Sequence, residues 1–164
     1  YYKEHLPDQL VGTTTFHDVF LEAQKIVPLI EEQNFKHAYL AGLLKFTEVD
    51  DNLLAIIDKL RTHYTCGVLT NNTEGRALSD EALGIYEHFD FVLQSHTSHL
   101  KKPDLAYFAL GQKQAGCKAN EIVYVDDQER HAVAATEAGM HGITYTFKDT
   151  SEFLQKLEEF NIKI

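Results

Sequence analysis

The chain has 164 residues, 44% of them hydrophobic, enough for one domain or one domain with a small appendage. Charged residues make up 24%, and Gly and Pro number only 9 and 3, which excludes disordered and collagen-like classes. Lys and Arg total 15 against 25 Asp and Glu, a formal net charge of −10. Such a surface repels a phosphate backbone and an anionic bilayer, so neither nucleic acid nor membrane is expected as a partner.

Residues 1 to about 48 read as helical and contain no strand pattern. Phe16, Val19, Phe20, Ala23, Val27 and Ile30 fall at helical spacing. Thr14 or Thr15 can cap that helix, and Pro28 should bend or break it. A second helical run covers His37 to Phe46. Asp50-Asp51 then precede Leu53, Leu54, Ile56, Ile57 and Leu60, an amphipathic helix with acids at its start. Tyr64 to Thr70 reads as a strand ending at Asn71-Asn72. A helix is expected around Glu81 to His88, and a strand over Phe89 to Gln94. The polar loop Ser95 to Lys102 leads through Pro103 to a helix over Asp104 to Gln114. Ile122 to Val125 is a strand closed by Asp126-Asp127, and Arg130 to Ala138 is a helix stopped by Gly139. A last strand is expected over Ile143 to Phe147 and a last helix over Ser151 to Phe160.

Strands alternating with helices predict an α/β domain with a doubly wound parallel sheet. In such sheets ligands bind beyond the carboxyl ends of the strands. Three of those ends carry polar groups: Thr70-Asn71, Ser95 and Asp126-Asp127.

The two cysteines, Cys66 and Cys117, form no CxxC pair and read as free thiols, which places the chain in the reducing cytoplasm. No apolar run approaches the roughly 18 to 20 residues of a membrane span, and no signal peptide opens the chain. Asn71-Asn72-Thr73 matches the glycosylation sequon, a chance match without a secretion signal. The chain starts Tyr1-Tyr2-Lys3, and its one methionine is Met140. That start reads as a processed chain or a piece of a longer reading frame.

Asp126-Asp127 is the sharpest chemical signal. Two adjacent carboxylates at the end of a buried strand repel each other, and a hard divalent cation offsets that repulsion. A single Asp there would serve as a helix cap. Asp50-Asp51 is the internal control: the same dipeptide, not after a buried strand, explained by capping alone. Thr70-Asn71 can hold a phosphoryl oxygen, or form an ordinary Asn-rich turn. Lys102, just before Pro103-Asp104, either points at the active face or is solvated. His96 and His99 form an H-x-x-H without further ligands, a poor zinc pattern. No P-loop, dinucleotide or G-x-S-x-G signature occurs.

Taken in order, Val68-Leu69-Thr70-Asn71, Lys102-Pro103-Asp104 through Phe108 and Gly111, and Val123-Tyr124-Val125-Asp126-Asp127 with Ala134-Ala135 and Ala138-Gly139-Met140 resemble the haloacid dehalogenase-like superfamily. The resemblance covers about residues 50 to 147. It implies a Rossmann-like core over 49–164 and a small helical cap over 1–48. It also implies a phosphatase using magnesium on a small phosphomonoester. An aspartate on the family's first strand attacks phosphorus to give an aspartyl-phosphate, and an acid two residues later is the general acid/base. By the same resemblance, Thr70 and Asn71 bind the phosphoryl group. Lys102 steadies nucleophile and phosphate, and Asp127 ligates magnesium with Asp126 beside it.

Two departures stand out. His131 occupies the place where the family often has Asp or Asn. The first motif, D-x-D after an apolar strand, is absent; Asp8 lies in Leu6-Pro7-Asp8-Gln9-Leu10, with no strand before it and no second acid. In the family that strand lies mid-sheet, so its loss should leave two half-sheets. The nucleophile is therefore expected upstream of residue 1, and the 164-residue chain is expected to be inactive. The alternatives are a 2-haloacid dehalogenase, disfavoured by the paired acids, and a non-catalytic protein-binding module. A receiver-like signalling domain is disfavoured by the helical residues 1–48.

Overall fold

Thr15 shows how the local sequence starts an element. Its hydroxyl accepts from the Asp18 amide at 3.2 Å, and the Asp18 carboxylate accepts from the Thr15 amide at 2.8 Å. This capping box starts α2 (Phe16–Ile26), which ends before Pro28. The computed structural model describes residues 2–146 and 150–163. It contains α1 (Tyr2–Leu10), α2, α3 (Glu32–Lys45), α4 (Asp51–Arg61), β1 (Gly67–Thr70), α5 (Glu74–Ala82), β2 (Phe91–Gln94) and the single turn α6 (Ser95–Ser98). There follow α7 (Leu105–Ala115), β3 (Val123–Asp126), α8 (Glu129–Glu137), β4 (His141–Thr144) and α9 (Thr150–Glu159). The architecture is α/β. Among the described residues β1 neighbours β2, and β3 pairs in parallel with β4, so the strands there form two two-stranded sheets. No helix among the described residues is long and apolar enough to cross a membrane.

The chain divides into two compact units. The first comprises Tyr1–Asp50, Leu69–His88 and Val92–Lys101. Its N-terminal helices pack through aromatic rings: Phe16 lies 5.5 Å from Phe35 and 5.1 Å from Tyr39, and Phe20 lies 5.9 Å from Phe35, centroid to centroid. Phe16 and Phe20 are buried, each worth about 2–3 kcal/mol of transfer free energy. These rings sit on α5 at Gly75, where an added Cβ would come within 2.7 Å of the Tyr39 ring. The Phe16 amide also donates to the Glu74 carboxylate at 2.8 Å.

The second unit comprises Asp51–Val68, Phe89–Phe91 and Lys102–Ile164. Tyr145, Phe153 and Leu157 form a buried cluster against Leu53, Ile56, Leu60, Val123 and Val125. β3 and β4 run in register from Val123 opposite His141 to Asp126 opposite Thr144. Under the other face of β3, Phe108 packs edge-on to Tyr124 at 5.1 Å. α8 lies so close to β4 that a Cβ at Gly142 would collide with the Ala132 carbonyl.

Several expected boundaries need correction: α3 starts at Glu32 rather than His37, β1 at Gly67 rather than Tyr64, and Ser95–Ser98 of the expected loop is a helical turn. The helix placed over Glu81–His88 is instead α5, capped by Thr73 and ending at Leu83, followed by a 3-10 turn over Ile85–His88. Gly84, at φ +69°, breaks the two apart. The last strand begins two residues earlier than its pattern suggests: His141 lies opposite Val123 and Gly142 opposite Tyr124, and Gly142 has no side chain to mark a strand. Of its expected residues, Phe147 lies outside the described ones. Asp51 is the first residue of α4, an acid in its first turn.

Candidate active site

Burial in β3 alternates, placing Tyr124 and Asp126 on the buried face. Asp127 follows and is exposed. The Asp126 side chain is only 4% exposed, and its carboxylate receives four donors. Oδ1 accepts from the Gln128 amide at 2.9 Å and faces His131 Nδ1 at 2.9 Å. Oδ2 accepts from Lys102 Nζ at 2.7 Å and from the Tyr124 hydroxyl at 2.6 Å. Burial alone would raise the Asp126 carboxyl, but the bonds from Lys102, Tyr124 and Gln128 outweigh it and hold the group well below the usual carboxylate range. Burial, then the carboxylate it donates to, pushes the Tyr124 hydroxyl far above its ordinary value, so it stays a donor. Lys102 Nζ also lies 5.9 Å from the centre of the Tyr124 ring.

Lys102 sits in the loop before α7, and its peptide bond to Pro103 is cis. Its side chain is 12% exposed, so the solvated reading does not hold for it. Lys101 makes no hydrogen bond or ion pair among the described residues. The paired acids are thus unequal. The buried Asp126 anchors a lysine, while the exposed Asp127 makes no hydrogen bond or ion pair among the described residues. A hard oxygen ligand is what magnesium takes, usually one or two carboxylates with substrate phosphate and water, so the donor chemistry of Asp127 fits that ion.

The end of β1 belongs to the first unit. Thr70 and Asn71 are half-buried there. Asn72 behind them is buried and fastens the turn. Its amide donates to the Ser95 hydroxyl and its carbonyl accepts from the same hydroxyl, both at 3.1 Å. Its side chain donates to the Tyr86 hydroxyl at 2.9 Å, and its Oδ1 faces His96 Nδ1 at 3.1 Å. Tyr86 donates onward to Asp80 at 3.0 Å, and Asp80 pairs with Arg76 at 2.9 Å. Burial lowers the His96 pKa against the opposing pull of Glu74. His99 Nδ1 faces the Val11 carbonyl at 2.7 Å.

Sequence reasoning missed several members of these networks, Tyr124 and Asn72 foremost. Tyr124 was visible only as an apolar strand residue, although its place two before Asp126 puts both on one face. Asn72 looked like an ordinary turn residue; its partners lie 14 to 24 residues away.

The family model for haloacid dehalogenase-like hydrolases matches residues 12–145. The chain belongs to this family. Among its relatives, a glyceraldehyde 3-phosphate phosphatase of Methanocaldococcus jannaschii is 44% identical over 59 residues, 35% of this chain and 26% of that protein. A sesquiterpene phosphatase of Aspergillus oryzae is 33% identical over 61 residues, 37% of this chain and 31% of that one. These matches span less than a third of either relative. The fold is that of the family's solved members. A haloacid dehalogenase family enzyme of Bacteroides thetaiotaomicron, in complex with magnesium and inorganic phosphate, superposes with a TM-score of 0.74 at 19% identity. The superposition covers 88% of this chain and 76% of that one. A family hydrolase of Porphyromonas gingivalis gives 0.73 at 20% identity over 96% of this chain and 78% of its own.

Proposed function

We propose that the chain carries part of the site of a magnesium-dependent phosphatase acting on a small phosphomonoester. The observation that carries this reading is the buried Lys102–Asp126 pair beside the exposed Asp127, in a family whose members here include phosphatases. Lys102 supplies a localised positive charge for a phosphoryl group in a chain of net charge −10. Thr70 and Asn71 donate to phosphoryl oxygens, and residues 1–48 serve as the cap that selects the substrate. Asp127, with Asp126 beside it, would hold magnesium, which would offset charge on the phosphoryl oxygens. The nucleophile is an aspartate expected ahead of residue 1. The expected location is the cytoplasm, where the thiols Cys66 and Cys117 stay reduced.

The test compares the 164-residue chain with the same chain preceded by a D-x-D strand. Both are assayed on p-nitrophenyl phosphate with magnesium or with chelator, and on 2-chloropropionate. The expected result is magnesium-dependent phosphate release by the longer protein alone. Turnover by the shorter chain would mean the nucleophile lies within it. Release of chloride instead would favour dehalogenation, and no turnover on either substrate would favour a binding module.

A further inference from the structure

His131 stands on α8 with 1% of its surface exposed, and the phosphatase reading above gives it no task. Its neighbours at one helical turn, Ala134 and Ala135, are also buried, so the residue faces the sheet side of α8. Nδ1 lies 2.9 Å from Asp126 Oδ1, while Nε2 is buried without a hydrogen-bond partner. An ionised carboxylate only accepts, so the proton of that bond belongs to Nδ1. A proton on Nε2 would be a buried donor with nowhere to go. A leucine could fill this place without desolvating a ring nitrogen. The imidazole therefore answers to Asp126 rather than to packing.

The four donors on Asp126 divide by oxygen. The Gln128 amide and His131 hold Oδ1; Lys102 and Tyr124 hold Oδ2. The last torsion of an aspartate is soft, so a carboxylate bonded at one oxygen swings easily. Pinning Oδ1 from two directions fixes where Oδ2 points, and Oδ2 is the partner of the Lys102 ammonium. A lysine on a flexible stem acts as a fixed charge only when its partner is fixed.

We infer that His131, in its Nδ1–H tautomer, is a positioning residue that locks the Asp126 carboxylate so that Asp126 can anchor Lys102. The purpose of that anchor rests on the phosphatase reading; the lock itself is testable without substrate.

Long-range 1H–15N spectra of the histidine-labelled 164-residue chain should show His131 protonated at Nδ1 and bare at Nε2. The opposite tautomer overturns the inference, and this reading needs no variant to fold. His131→Leu and His131→Asn are then compared by acylation of lysines, read by mass spectrometry at Lys102 and at Lys156, a half-buried lysine paired with Glu152 on α9. Leu should speed acylation of Lys102 by roughly 10-fold, and Asn, which keeps a donor, should hold it within about 2-fold of the unaltered chain. Acylation of Lys156 should not change, which separates a loosened anchor from general unfolding. Unchanged protection of Lys102 in His131→Leu overturns the inference. In the chain preceded by a D-x-D strand, His131→Leu should lower kcat by roughly 10-fold with KM within about 2-fold, and Asn should restore it. Absence of turnover in the unaltered longer protein would defeat the phosphatase reading while leaving the tautomer and acylation results to decide this one.

Discussion

Lys101 and Lys102 are chemically identical and differ only in what they touch. Lys102 bonds the buried Asp126 at 2.7 Å with 12% of its side chain exposed. In water-poor surroundings a point charge acts with less screening than on the surface. In the protein preceded by a D-x-D strand, Lys102→Ala should lower kcat/KM by on the order of 10²-fold or more, and Lys101→Ala by less than about 3-fold. Sensitivity at Lys101 instead would shift the site by one residue. The two aspartate pairs give a parallel contrast. Asp127→Asn removes charge from an exposed carboxylate that fits magnesium, and should raise the magnesium needed for half-maximal rate while lowering kcat. Asp51→Asn alters an acid in the first turn of α4, worth well under about 1 kcal/mol, and should leave kcat alone. Equal losses in the two variants would erase the distinction between the pairs.

The turn between β1 and α5 behaves as one element because Asn72 ties it together. Ser95, fully buried, completes two bonds with the Asn72 backbone, while the Asn72 side chain reaches Tyr86 and His96. Asn72→Ala leaves buried polar groups short of partners, a loss of about 1–3 kcal/mol that a urea midpoint would register. Because Thr70 and Asn71 ride on this turn, the same variant should raise KM for phosphomonoesters. A stability equal to that of the unaltered chain would mean these bonds are replaced by water at no loss. α5 itself was misplaced by sequence reasoning for a related reason. Its buried residues Gly75, Ala77, Ser79 and Asp80 are small or polar, so no apolar stripe announces a helix. What selects them is contact: Gly75 makes room for Tyr39, and Asp80 receives Tyr86.

For the whole molecule, the depressed Asp126 pKa links folding to acid. A carboxyl held below its unfolded value of about 3.9 adds stability that is fully present above that pH. The contribution is lost as pH falls from about 4 toward the folded value. Stability measured by urea between pH 7 and pH 2 should therefore drop below about pH 4 in the unaltered chain. The drop should be shallower in Asp126→Asn, which has no carboxyl to protonate there. Parallel curves would show that the four bonds to Asp126 do not outweigh its burial. Above about pH 5 the gap between the two curves should stay constant, with the unaltered chain the more stable.

Local pattern alone determined the alternation of strands and helices, the apolar strand Val123-Tyr124-Val125 and the acids at its end, because these depend on neighbours within a few residues. It also marked Lys102 and Asp127, through motif resemblance. Tertiary structure decided which member of each adjacent pair turns inward. Asp126 is buried because strand phase puts it on the face of Tyr124, and its lysine arrives from 24 residues away. The start of β4 was hidden for the same kind of reason. Gly142 has no side chain to mark a strand, yet a Cβ there would collide with the Ala132 carbonyl of α8. His131, a departure from the family pattern in the sequence, gained a partner only when α8 was laid against β3.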